Sequence, residues 1–112
     1  MSAGTEQRKL AAIMFTDMVG YSALVQRNEK VALELPAEHR RVLREFFPKF
    51  GGREVETTGD GFLVEFASAL EAARSAIEIQ RALATRNLSI MPDRHLHVRI
   101  GSIIPLFVSW AE

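Results

Sequence analysis

Residues 11 to 15, Ala-Ala-Ile-Met-Phe, form an unbroken apolar run that stops at Thr16-Asp17, with Gly20 close behind. A short continuous run bounded by turn residues predicts a buried strand, from about Leu10 to Asp17, covered on both faces. It ends in a carboxylate. After it, Gly20-Tyr21-Ser22 opens a helical pattern, so backbone N–H groups and a helix N-terminus would point toward whatever Asp17 holds. Carboxylate and free amides together suit a metal-bound polyphosphate. The plainer alternative is that Asp17 caps the following helix.

A second carboxylate stands at Asp60, in Glu56-Thr57-Thr58-Gly59-Asp60-Gly61, between Arg53-Glu54-Val55 and Phe62-Leu63-Val64-Glu65-Phe66. Asp-Gly between two such runs is a strong hairpin signal, because glycine accepts the positive φ of tight turns. Taken alone, Asp60 is a turn residue.

The rest of the chain supplies the frame. A helix is expected from Tyr21 to about Leu33, and Pro36 starts another. On that second helix Leu43, Phe46, Phe47 and Phe50 recur at core spacing, with His39, Arg40, Arg41 and Arg44 turned toward solvent. Pro48 kinks its last turn and Gly51-Gly52 ends it. Ser68 with Glu71 has capping-box spacing and opens a helix whose inner face is Leu70, Ala73, Ala76, Ile77 and Leu83, ending near Arg86-Asn87. Leu96, Val98 and Ile100 alternate with His95, His97 and Arg99, which predicts a half-exposed strand with both histidines on its outer face.

This order is βαββαβ, which predicts an α+β fold: a ferredoxin-like antiparallel sheet with helices on one face. In that topology the first and third strands are antiparallel central neighbours, so Asp17 and Asp60 converge. Two carboxylates brought together repel unless a divalent cation lies between them.

Composition excludes several other readings. Fourteen Lys plus Arg balance fourteen Asp plus Glu, which leaves no basic surplus for nucleic acid or anionic lipid. With no cysteine there is no disulfide or thiolate site. No apolar stretch approaches the roughly 20 residues of a membrane span, and residues 1–9 read as a flexible polar arm rather than a signal peptide. A single domain in the cytoplasm is the expectation.

The two acidic stretches, in this order and separation, resemble the catalytic domain of class III adenylate and guanylate cyclases. The resemblance covers residues 10–101, the first part of that domain. It implies that Asp17 and Asp60 are the catalytic metal ligands, that Met18 lends its main-chain carbonyl, and that two ions, Mg²⁺ or Mn²⁺, are held on a nucleoside triphosphate. It further implies that the amides of Val19, Gly20, Tyr21 and Ser22 cradle the phosphates, and that ATP or GTP is converted to cyclic nucleotide and pyrophosphate in second-messenger signalling. Glu56 falls at the base-selecting position, where many adenylate cyclases carry lysine; a carboxylate there resembles the guanylate-forming pattern. A homodimer or a cyclase-domain partner completes the site in the family. Residues 102–112 read as an apolar tail that does not match, in which Pro105 discourages a regular edge strand. The family's transition-state Asn-x-x-x-Arg segment has no counterpart here, so the expectation is a chain inactive by itself, or a non-catalytic regulatory or protein-binding module.

Overall fold

The computed structural model describes residues 6–111, with side chains from 11 to 101. Four strands, β1 (Glu6–Met18), β2 (Arg53–Thr57), β3 (Gly61–Phe66) and β4 (Val98–Ala111), form one antiparallel sheet in the order β2-β3-β1-β4. Helices α1 (Tyr21–Arg27), α2 (Glu29–Arg44) and α3 (Ala69–Asn87) accompany it, with short 3₁₀ turns at Pro48–Phe50 and Pro92–Arg94. This is the α+β, ferredoxin-like arrangement expected.

Strand alternation separates the two faces. Ala12, Met14, Thr16 and Met18 pair or align with Phe66, Val64 and Phe62, and these side chains are buried with Leu24, Val31, Leu35, Leu43, Phe47, Ile79 and Leu83 from the helical layer. The opposite face carries Ile13, Phe15 and Asp17 on β1, Leu63 and Glu65 on β3, and Arg99 on β4. No helix among the described residues covers it, and Phe15 remains 45% exposed. The apolar run on β1 is therefore covered fully on one face and only in part on the other, where Ala11 is buried, Ile13 half-buried and Phe15 exposed; full cover of both was expected. Its unbroken hydrophobicity reflects a core on one side and an apolar surface on the other.

The strands also run longer than their apolar signals. Residues Glu6 to Lys9 belong to the expected polar arm, yet their backbone continues β1 because β4 supplies partners as far as Glu6↔Ala111. Pro105 does not stop β4. Ala11 pairs with Leu106 and Ile13 with Ile103, so Ile104 and Pro105 together oppose Ala12 in a bulge, where a missing N–H breaks no regular ladder bond. The apolar side chains of the tail lie outside the described residues.

Helix boundaries depart from expectation at Pro36. The break comes at Asn28, whose non-helical backbone (φ −148°, ψ 86°) and side chain, accepting from the Val31 amide, cap α2; Pro36 sits inside that helix, buried. A proline there leaves the carbonyl of Ala32, four residues earlier, without its usual donor. The Tyr21 hydroxyl donates to that carbonyl at 3.0 Å. The bond satisfies the freed acceptor and ties α1 to α2. On α3 the Ser68 cap forms as expected, accepting from the Glu71 amide at 3.2 Å. The inner face, however, is Ala72, Ser75, Ile79 and Leu83, while Leu70 and Ile77 are exposed.

His39 is the largest departure. Instead of facing solvent it is fully buried, its ring 5.5 Å from that of Phe62, and neither ring nitrogen has a partner among the described residues. Burial, reinforced by the Arg40 charge and partly opposed by Asp60, pushes its pKa down to about 4. Below pH 6.5 the unfolded chain binds a proton that the folded chain refuses until about pH 4, so this residue removes stability as pH falls through that window. Between pH 7 and 4.5 the loss attributable to His39 should reach about 2–3 kcal/mol. Urea unfolding of the parent and His39→Leu at both pH values measures it: the variant should lose correspondingly less, and an equal loss in the two would contradict the assignment.

Candidate active site

The β1–β3 register sets the site. Asp17 stands opposite Gly61, and the Met18 amide donates to the Asp60 carbonyl at 2.8 Å, so the two acidic residues are brought to one end of the central strand pair. Gly61 has to be glycine, because a Cβ there would overlap the Thr16 carbonyl. The approach is fixed further by the Thr16 hydroxyl, which accepts from the Phe62 amide at 3.1 Å. Across the tip of the hairpin the Thr58 amide donates to the Gly61 carbonyl at 2.9 Å, and the Thr58 hydroxyl lies 3.4 Å from Asp60 Oδ1.

On its other side Asp17 faces β4. Arg99, its cross-strand partner, donates from Nε to Oδ1 at 3.0 Å and from Nη2 to Oδ2 at 3.2 Å, a two-pronged pairing of guanidinium and carboxylate. The carboxylate in turn raises the arginine's pKa above its ordinary value. Both side chains are well exposed, at 38% for Asp17 and 74% for Arg99, so the pair is accessible to a solute. The start of β4 is held by α3: Gln80 donates to the Val98 carbonyl at 2.8 Å, and the Asn87 side chain exchanges hydrogen bonds with both Leu96 backbone groups. Sequence periodicity had placed Arg99 on an outer face; only the β1–β4 register reveals that it meets Asp17.

Between β1 and α1, Gly20 adopts a left-handed conformation, φ 73°, that turns the chain into the helix. The Val19 amide is already committed, donating to the His97 carbonyl at 2.8 Å. The amides of Tyr21 and Ser22 lie in the first turn of α1, where no intrahelical acceptor exists. Met18 buries its side chain while its main chain lies at the site.

Glu56 sits on β2 opposite Leu63, after a bulge at Val55, and is exposed on the open face. With Phe15, Thr16, Thr58, Phe62 and Leu63 it lines a shallow hollow of about 250 Å³. His95 is half-buried, with Nε2 2.8 Å from the Ile90 carbonyl, and its ring is 5.8 Å from that of exposed His97. Both precede β4, which begins at Val98. Among the described residues no three His, Cys, Asp or Glu side chains form a ready-made metal cluster. A cation at Asp17 and Asp60 would thus be held by two carboxylates, with main-chain, water or phosphate oxygens completing its shell, which is how Mg²⁺ is commonly bound beside a polyphosphate.

Two arginines expected to be solvated instead bind the hairpin. Arg40 Nη1 donates to the Gly59 carbonyl at 3.3 Å, and Arg44 Nε donates to Glu54 at 2.9 Å while its guanidinium carbon lies 5.3 Å from the Phe62 ring centroid.

Comparison with known proteins identifies the family and the fold. The model of the adenylate and guanylate cyclase catalytic domain matches residues 4–104. A Rhizobium meliloti protein named "Putative adenylate cyclase 3" is 40% identical over 102 residues, which is 90% of this chain but 17% of that protein. The crystal structure of an adenylate/guanylate cyclase/hydrolase from Silicibacter pomeroyi is 36% identical, with a TM-score of 0.77 over 94% of this chain and 61% of its own. A bacterial light-regulated adenylyl cyclase shares the fold at a TM-score of 0.79 and 18% identity, over 96% of this chain and 32% of that one. The chain therefore spans only part of the proteins it matches. It belongs to the adenylate and guanylate cyclase catalytic domain family.

Proposed function

We propose that this chain contributes the metal-binding half of a nucleotide cyclase active site and binds a nucleoside triphosphate with divalent ions at Asp17 and Asp60. The observation that carries the reading is the β1–β3 register, which sets Asp17 opposite Gly61 with the Asp60 carbonyl bonded to Met18. Hard oxygen donors in an exposed position fit Mg²⁺ or Mn²⁺. Two such ions would activate a ribose 3′-hydroxyl and offset charge on the triphosphate and its leaving group. The Met18 carbonyl would serve as a further ligand. The phosphates would lie against the Gly20–Ser22 turn, where the first-turn amides of α1 point outward; the Val19 amide contributes to the turn's shape through His97 rather than to phosphate.

The open sheet face supports a second element of the reading. Phe15 is 45% exposed beside Leu63 and Glu56, an apolar surface suited to a purine and to another cyclase domain, either a second copy or a different one. A different cyclase domain seated there would bring transition-state donors, and the pair would work in the compartment that supplies nucleoside triphosphates, the cytoplasm. No helix among the described residues is long and apolar enough to cross a membrane.

Loss of an outer-shell group alone costs about 10- to 100-fold in metal affinity. Asp17→Asn and Asp60→Asn should therefore each weaken Mn²⁺-dependent binding of a nonhydrolysable nucleoside triphosphate by roughly ten-fold or more. Isothermal titration calorimetry reads this directly, and unchanged affinity in both variants would refute the site.

Glu56 is assigned to the base. A carboxylate accepts from guanine N1–H and its exocyclic amine, whereas a lysine donates to adenine N1. Competition between ATP and GTP analogues should favour the guanine nucleotide in the parent chain, and Glu56→Lys should shift the ratio toward adenine by roughly ten-fold. An unaltered ratio would remove Glu56 from base selection.

A further inference from the structure

We infer that Arg40 is a positioning residue for Asp60: its guanidinium holds the hairpin tip through the Gly59 carbonyl and so keeps the Asp60 carboxylate in place for metal. This rests on the reading of Asp60 as a ligand and adds a residue to it.

Within the tip, the Thr58 amide and hydroxyl donate to the Gly61 carbonyl at 2.9 and 3.3 Å, which closes the turn but does not tie it to the helices. Residues 53–59 are exposed throughout, and β2 is a short edge strand interrupted by the bulge at Val55. Tips of this kind open locally at low free-energy cost. Attachments flank Asp60 on three sides. On its C-terminal side, Phe62 is buried against His39 at 5.5 Å and Phe47 at 5.0 Å, with the Arg44 guanidinium 5.3 Å from its centroid. Across the sheet, the Met18 amide bonds the Asp60 carbonyl at 2.8 Å. On the N-terminal side α2 attaches the hairpin at two points: Arg44 Nε to Glu54 at 2.9 Å, early in β2, and Arg40 Nη1 to the Gly59 carbonyl at 3.3 Å, across nineteen positions of sequence and beside Asp60.

Geometry explains why an arginine one residue after a buried histidine does this. His39 points into the core, which turns position 40 to the flank of α2 where the helix passes the hairpin, and Arg44 lies one turn along the same flank. A long side chain with fixed planar donors can span from helix to tip and still leave its charge near Asp60. The bond is made to backbone, so it constrains where the tip sits without occupying the carboxylate that metal would use.

The test uses the full 112-residue chain with two readouts: amide hydrogen exchange over residues 57–61 in the protein alone, and calorimetric binding of Mn²⁺ with a nonhydrolysable nucleoside triphosphate. Arg40→Ala should speed exchange at the Thr58 amide several-fold and weaken binding roughly three- to ten-fold, with the thermal midpoint little changed because the bond is exposed. Arg40→Lys, which keeps a donor and the charge, should recover part of both. Asp60→Asn serves as the reference for the site itself. If Asp60→Asn weakens binding while Arg40→Ala leaves either exchange or affinity as in the parent, the positioning role is wrong and the metal site stands. If Asp60→Asn binds as tightly as the parent, the metal reading falls and takes this inference with it. A large fall in the thermal midpoint of Arg40→Lys as well as Arg40→Ala would also overturn it, by making Arg40 part of the fold's general stability.

Discussion

Everything at this site depends on the antiparallel pairing of β1 with β3 in one register. Because side chains alternate along a strand, a slip of β1 by one residue would send Ala12 and Met14 from the core to the open face and carry Asp17 into the core. Three local contacts oppose such a slip. Gly61 admits the Thr16 carbonyl where any other residue would collide with it, the Thr16 hydroxyl accepts from Phe62, and Met18 donates to Asp60. The packed face chooses the register, and the acidic residues inherit their positions from it.

The charges follow from the same frame. β4 pairs with β1 on its other edge and brings Arg99 to Asp17 in a two-pronged contact. An exposed pair of this kind contributes little to stability. Its consequence is electrostatic: the Asp17 carboxylate carries an exposed counter-charge. The hairpin is treated differently. Its acidic tip is anchored through backbone and aromatic contacts from α2, which leave the carboxylate itself unengaged by any cation among the described residues.

Much of this was legible in the sequence, for identifiable reasons. The continuous run of residues 11–15, the Gly-Asp-Gly turn and the Ser68 cap are local signals whose physics does not depend on the rest of the chain, and they gave the element order and hence the strand order. Properties set by tertiary contacts were not legible. Pro36 reads as a helix start, whereas it lies inside α2 with the distant Tyr21 hydroxyl satisfying the carbonyl it frees. His39 reads as a surface residue among arginines, because nothing local shows that Phe62 will lie against it. Leu70 and Ile77 fit a plausible apolar stripe on α3, but the sheet selected the neighbouring stripe through Ala72, Ser75 and Ile79. Arg99 was recognised as outward-facing, and its partner needed a register that alternation alone does not specify.

The central claim is that Asp17 and Asp60 act as one cation site made by strand register. A crystal grown with Mn²⁺ and a nonhydrolysable nucleoside triphosphate, measured for manganese anomalous scattering, addresses it most directly. The account predicts anomalous density at the end of the β1–β3 pair within coordination distance, roughly 2.0–2.3 Å, of a carboxylate oxygen from each residue, with Arg99 drawn away from Asp17. Density coordinated elsewhere, or at one of the two aspartates with the other pointing into solvent, would contradict it.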